Sequence, residues 1–202
     1  MAGQECDAGQ LAGFMIHLQE LGCHNVNFVT PTHIVLAIVE AAGIAARQGF
    51  DLPLVYNCGG YESVEIIRRL EGVIDIYMPD VKFADSAVAG RLCDAADYYE
   101  RVRETLKEMY RQVGDFAEDE EGVARRGLLV RHLVMPKNVA GTETVMRFIK
   151  EEISPDTAVN VMFQYRPCHR AREFPEIARR PQPEECREAL LSARSHGLRI
   201  LQ

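Results

Sequence analysis

Five short apolar runs, each followed by a polar or glycine turn and then a helical pattern, constrain this chain more than any other feature. The runs are Asn25–Thr30, Pro53–Cys58, Val73–Met78, Leu128–Met135 and Ala158–Tyr165. Each is nearly continuous in apolar residues rather than alternating, which is the pattern of strands in a parallel sheet covered by helices. Helical patterns separate them at His33–Gln48, Glu62–Leu70, Ser86–Val113 and Thr142–Ile153, the third bent near Asp94–Asp97. A last helix is expected over Glu184–His196, while Phe116–Arg126 reads as a solvated loop. Strict alternation of this kind implies right-handed crossovers in one parallel sheet. A helix over Asp7–Leu21, capped by Asp7 and stopped by Gly22, precedes the first run, with Leu11, Phe14, Met15, Leu18 and Leu21 on its apolar face. No strand precedes that helix. The expected fold class is α/β: a partial (β/α) barrel with a parallel sheet, its first β/α unit incomplete or missing.

Length and charge narrow the function classes. A chain of 202 residues buries roughly 70% of its unfolded surface, so one domain over 1–202 is expected, with 167–202 as a C-terminal lid and helix extension. The net charge of −7 argues against a nucleic-acid binder, which neutralises phosphates with a basic surplus. The six cysteines, Cys6, Cys23, Cys58, Cys93, Cys168 and Cys186, form no C-x-x-C pair, which argues against a zinc ribbon. The adjacent pairs Cys23–His24 and Cys168–His169 have no further ligand beside them in the sequence, and no metal site is expected. There is no signal-peptide pattern and no apolar run of about 18 residues. The expected protein is reduced, cytoplasmic and free of membrane or nucleic-acid partners.

In parallel α/β sheets ligands bind beyond the carboxyl ends of the strands. Those ends carry Thr30-Pro-Thr-His33, Asn57-Cys-Gly-Gly60, Pro79-Asp-Val-Lys82, Met135-Pro-Lys137 and Gln164-Tyr-Arg166, with Arg131 and His132 inside the fourth run. Together they predict a pocket along one rim. Asp80 and Lys82 are two apart on an extended segment, so their side chains leave the same face, that of Ile74, Ile76 and Met78. A carboxylate and an ammonium there can hold an α-amino acid group; a solvated ion pair is the plain alternative. Arg131 needs a buried partner, either structural (Asp75 or Asp80) or a ligand carboxylate. Asn57 needs a polar partner at its strand end. His33 is either a ligand contact or a solvent-facing residue. Gly59 and Gly60 permit close backbone approach or an ordinary turn. Thr32 can cap the second helix. The arginines between Arg170 and Arg180 suit a surface lid, or an acidic partner.

These residues resemble the radical S-adenosylmethionine (SAM) enzymes, most of all the pyruvate formate-lyase activating enzymes and their uncharacterised relatives. The resemblance runs from about Leu11 to Pro167 and is carried by Gly22-Cys-His-Asn-Val-Asn-Phe-Val-Thr-Pro-Thr-His33, Asp80-Val-Lys82, the Leu128–Pro136 strand and Gln164-Tyr-Arg166. It implies a SAM site of Thr30, Thr32, His33, Asn57, Asp80, Lys82, Arg131, Gln164 and Arg166. In it Lys82 faces the SAM carboxylate and Asp80 orients Lys82 or holds a cation. Arg131 and Arg166 lie along the nucleoside and substrate side. Thr30–Thr32 stand where many members carry a Gly-Gly-Glu turn for the SAM amino group, so backbone carbonyls and threonine hydroxyls would replace it. The family holds a [4Fe–4S] cluster with C-x-x-x-C-x-x-C, and no such spacing occurs here. The chain reads as beginning just downstream of that motif, as a gene fragment or misassigned start, an expressed truncation, or a degenerate SAM-binding protein.

Three functions follow. In its complete form the protein would make a 5′-deoxyadenosyl radical and abstract hydrogen from a small molecule or a protein partner of the glycyl-radical-enzyme type. Without a cluster it would bind SAM or a partner and do no chemistry. Asp80-x-Lys82-x-x-Asp85 also matches the D-x-K-x-x-D pattern of decarboxylase-like barrels, although no glycine-rich phosphate site follows Met135 or Tyr165.

Overall fold

A computed structural model describes residues 5–201; residues 1–4 and 202 of the expected domain lie outside the described residues. The apolar runs form strands β1 (Val26–Val29), β2 (Leu54–Cys58), β3 (Ile76–Val81), β5 (Ala124–Leu133) and β6 (Ala158–Met162). Two more strands, β4 (Ala117–Glu118) and β7 (Arg199–Leu201), lie outside the expected set. The order is β1-β2-β3-β5-β6-β7, with every neighbouring pair parallel, and β4 pairs antiparallel with the start of β5. The segment expected as a loop is therefore a hairpin. Asp119 holds its turn by accepting from the Glu121 and Val123 amides and pairing with Arg125 at 2.6 Å.

Seven helices cover one face: α1 (Ala8–Glu20), α2 (Val35–Ala46), α3 (Val64–Arg69), α4 (Ser86–Cys93), α5 (Tyr98–Val113), α6 (Thr142–Phe148) and α7 (Pro183–Ser195). Asp7 caps α1 in a reciprocal box with Gln10, as its sequence position predicts. The long third helical pattern splits at Asp94, whose φ of 58° ends α4 in the left-handed region. Asp85 caps α4, accepting from Ala87 N at 2.7 Å. Phe14, expected on the apolar face of α1, is 60% exposed; Met15 beside it is buried.

Alternation along the strands separates two environments. Tyr56, Tyr77, Val81, Leu128, Val130, Val159 and Val161 point into the helix layer and join the main core. Val55, Ile76 and Ala158 point the other way, where Phe116 packs over them with Met78, Leu129 and Leu201 around the edge. Ile74, expected beside Ile76, packs in the helix-side core instead, because β3 begins at Ile76. The hairpin that carries Phe116 returns to the sheet at Gly127, where φ is 114° and a Cβ would collide with the Asp115 carbonyl. Arg199 locks the hairpin by donating to Phe116 O at 2.8 Å.

Candidate functional site

On the open face, at the carboxyl ends of β2, β3 and β5, four polar side chains meet. Asn57, Asp80 and Arg131 occupy consecutive strands, and the β3–β5 register sets Asp80 directly beside Arg131. Arg131 Nη2 lies 2.7 Å from Asp80 Oδ1 and donates to Asn57 Oδ1 at 2.7 Å. Lys82, just past the end of β3, brings Nζ to 2.9 Å from Asp80 Oδ2. Of the two structural partners considered for Arg131, Asp80 is the one present. Asp75 instead accepts from Leu54 N at 2.9 Å. Two cations against one carboxylate leave the group with one positive charge in excess. Arg131 Nε is buried with no hydrogen-bond partner, and Asp80 Oδ1, close as it is to Arg131, makes no well-directed hydrogen bond. A buried donor of that kind is costly unless something accepts from it.

The backbone of the rim is tightly held. Thr30, at the end of β1, has φ 54°, which is strained for a β-branched residue, and donates its N–H to Asn57 O at 2.8 Å. Gly60 has φ 78°, and a Cβ there would collide with the Asp80 carbonyl. Gly59 lies under Lys82: a Cβ on it would be 3.6 Å from Nζ. Gly60 thus permits the close approach of the β2 and β3 ends. Thr105 on α5 donates to Gly60 O at 2.8 Å, and the Tyr98 hydroxyl reaches Gly59, Asp80 and Lys82. After β5 the chain turns through left-handed Lys137 and Asn138 and is tied to α7, where Lys137 N donates to Glu185 at 2.7 Å. The Arg179 guanidinium beside Glu185 holds that carboxyl at about 2.

Other expected site residues stand apart from this group. Thr32 lies in a 3-10 turn over Thr32–Ile34 and does not cap α2. Its hydroxyl donates to Glu62 at 2.7 Å. Glu62, which sequence reading did not single out, is 6% exposed, and burial raises its carboxyl pKa against the opposing Thr32 hydrogen bond. The Tyr56 hydroxyl sits 3.3 Å from Thr32 Oγ1 and 3.4 Å from Glu62. Burial also pushes the Cys58 thiol far up. Thr32 is thus committed to the helix side of the rim. His33 is exposed beside a groove with Ile34, Leu36 and Arg69. Gln164 and Arg166 are exposed beyond β6; Gln164 contacts only Met162 Sδ, at 3.4 Å, among the described polar contacts. Asp85 is occupied as a helix cap, away from the Asp80–Lys82 pair. A cleft of about 270 Å³ between the turn after β5 and α7 is lined in part by paired polar groups, Ser192 with Glu143 and Thr142 with His132.

No protein-family model matches the chain. It is 33% identical over 180 residues to uncharacterized protein MJ0674 of Methanocaldococcus jannaschii, a match that covers 88% of this chain and 48% of that protein. The chain thus spans about half the length of the curated relative it matches. Its structure is similar to that of a radical SAM methyltransferase from Sphaerobacter thermophilus, with TM-score 0.65, 16% identity, 97% of this chain and 57% of that chain covered. It is also similar to a domain of pyruvate-formate lyase-activating enzyme from Bacteroides vulgatus, with TM-score 0.58, 14% identity, 88% of this chain and 97% of that chain covered. The chain has the radical SAM-type fold, a parallel α/β partial barrel; at these identities the likeness speaks for the fold alone.

Proposed function

We propose that this chain binds S-adenosylmethionine at the carboxyl-end rim of its sheet, with Lys82 and Arg131 receiving the carboxylate of the methionyl group. The observation that carries this reading is the Asn57–Arg131–Asp80–Lys82 group, with its excess positive charge and the unpartnered Arg131 Nε. A ligand carboxylate supplies the missing negative charge. Backbone carbonyls around Thr30 take the amino group in place of the committed Thr32 hydroxyl. Arg166, His33 and Gln164 stand apart from that group and would meet the ligand only as it spans the rim.

An iron–sulfur cluster does not fit the described residues. They hold no group of three or more His, Cys, Asp or Glu side chains able to ligate a metal ion. Cys58 is buried in the helix-side core, while Cys6, Cys93 and Cys168 are exposed on separate elements. Hydrogen abstraction by a 5′-deoxyadenosyl radical, from a small molecule or a protein partner, is therefore our reading only for a polypeptide that also carries cluster ligands. Among the described residues no helix is long and apolar enough to cross a membrane.

Calorimetric titration with S-adenosylmethionine tests the reading. Saturable one-site binding is expected, weakened at least tenfold by Lys82→Ala. Absence of binding overturns the proposal, and unchanged affinity in the variant removes Lys82 from the site. Anaerobic treatment with iron and sulfide is expected to leave the chain without a cluster; a stable cluster would show that the cysteines have been misread.

A further inference from the structure

We infer that Tyr98, on the helix layer behind the sheet, is a positioning residue that sets where Lys82 stands in the rim; for ligand binding this rests on the reading of the rim given above. The parallel ladder between β2 and β3 runs out at Cys58 opposite Pro79. There β2 ends and turns through Gly59–Gly60, with the Gly60 backbone pressed against the Asp80 carbonyl. Tyr98 reaches this turn from the helix layer. Its hydroxyl accepts from Lys82 N at 2.9 Å, and its single proton is shared between Asp80 O at 3.2 Å and Gly59 O at 3.3 Å. One oxygen therefore fixes the backbone on both sides of the Asp80–Lys82 step and the turn beneath the Lys82 ammonium.

The phenol is itself fixed. Tyr98 is 5% exposed and begins α5, so its Cα is set by that helix. Its ring stacks on Tyr61 with centroids 5.8 Å apart and meets the Phe83 ring edge-on at 5.7 Å. Phe83 follows Lys82 in the chain, so the ring and the hydroxyl grip adjacent residues. With Lys82 N held from behind, its side chain is left to fold back over Gly59 to Asp80. Without the hydroxyl, Lys82 N–H, Gly59 O and Asp80 O lose a common partner in a buried place, and the strand end is free to shift.

Two measurements decide the matter. In the first, amide hydrogen exchange is followed by NMR in wild type and Tyr98→Phe without ligand. Exchange at Lys82 is expected to speed at least tenfold while Ile76, Tyr77, Met78, Asp80 and Val81 keep their rates. An unchanged Lys82 rate, or equal acceleration along all of β3, overturns the inference, the latter because it marks general loosening. In the second, S-adenosylmethionine is titrated into wild type, Tyr98→Phe, Lys82→Ala and the double variant. Tyr98→Phe is expected to weaken binding about tenfold, and to have no further effect once Lys82 is gone. An additive double variant, as a merely structural role would give, overturns it. If the wild type fails to bind S-adenosylmethionine, the functional reading falls, while the exchange result still decides the role of Tyr98.

Discussion

Arg131 and Asp80 face each other across the β3–β5 register, with Arg131 Nη2 2.7 Å from Asp80 Oδ1 on a face that no helix covers. The pair is partly shielded, the side chains being 23% and 14% exposed. Removing Asp80 leaves both the Arg131 and the Lys82 cations without their carboxylate, whereas removing Arg131 as well leaves only the more exposed Lys82. Asp80→Asn is expected to destabilise the fold by about 2 kcal/mol, a figure reduced from the fully buried case because water reaches the pair. Combining it with Arg131→Met should recover part of that loss. Urea unfolding of the two single variants and the double variant gives the result; strictly additive losses would show that the pair is not coupled.

Gly60 and Gly59 are neighbours with different tolerances. Gly60 has φ 78° and faces the Asp80 carbonyl, so Gly60→Ala combines backbone strain with a clash and is expected to cost roughly 3 kcal/mol. Gly59→Ala would place its Cβ 3.6 Å from Lys82 Nζ, an ordinary contact, and is expected to cost under about 1 kcal/mol. Thermal melting of both proteins separates the two. Equal stabilities would show that the β2–β3 turn is not held by this approach.

His132 is fully buried between Val81 O, 2.8 Å from Nδ1, and Thr142 Oγ1, 2.9 Å from Nε2. Burial lowers its pKa from 6.5 to about 4 despite the Val81 carbonyl. The unfolded chain therefore takes up a proton at this site that the folded one refuses. Stability from this residue is complete above pH 6.5 and is lost as pH falls towards 4, at up to about 1.4 kcal/mol per pH unit. His132→Asn should be less stable at neutral pH yet show a flatter stability profile across that window, read by urea unfolding at a series of pH values.

Glu62 shows the opposite sign. Its carboxyl is raised by burial, so the unfolded chain releases the proton first. Its contribution is present below the ordinary glutamate range and is lost as pH rises through the raised value. Glu62→Gln keeps an oxygen for Thr32 and Tyr56 and removes the buried charge. The variant is expected to gain stability over wild type as pH rises from 5 to 8, read by urea unfolding at both ends of that range. A constant difference across that range would show that Glu62 ionises as it does in the unfolded chain.

The parallel sheet was legible because its central strands are apolar enough to announce themselves. Asn57, Asp80 and Lys82 are legible at or just beyond the ends of their runs, and Arg131 as a cation inside an apolar one. What escaped has physical reasons. Pro79 reads as the end of a strand, yet it sits inside β3, paired with Cys58 of β2 at a point where the register to β5 skips Met78 and Pro79. β7 has three residues and owes its existence to β6 beside it. The Thr32–Glu62 contact joins residues thirty apart through a turn whose direction no local pattern encodes. Tyr98 reads as an ordinary helix residue, because its importance lies in the strand ends it meets rather than in the helix it starts.

The backbone crossing at Gly127 fixes more than a hairpin. There the Asp115 carbonyl approaches so closely that no side chain fits, and Arg199 and Phe116 are fastened over the same spot. At the crossing itself this pole has no slack: a residue inserted beside Phe116 or Gly127 would have to break it. The far pole carries the rim, where Thr30, Thr32, His33, Gln164 and Arg166 are exposed. Under the proposed function, changes of ligand preference, by natural drift or by engineering, fall on those exposed positions, while the crossing acts as the keel that lets them be tried without capsizing the fold.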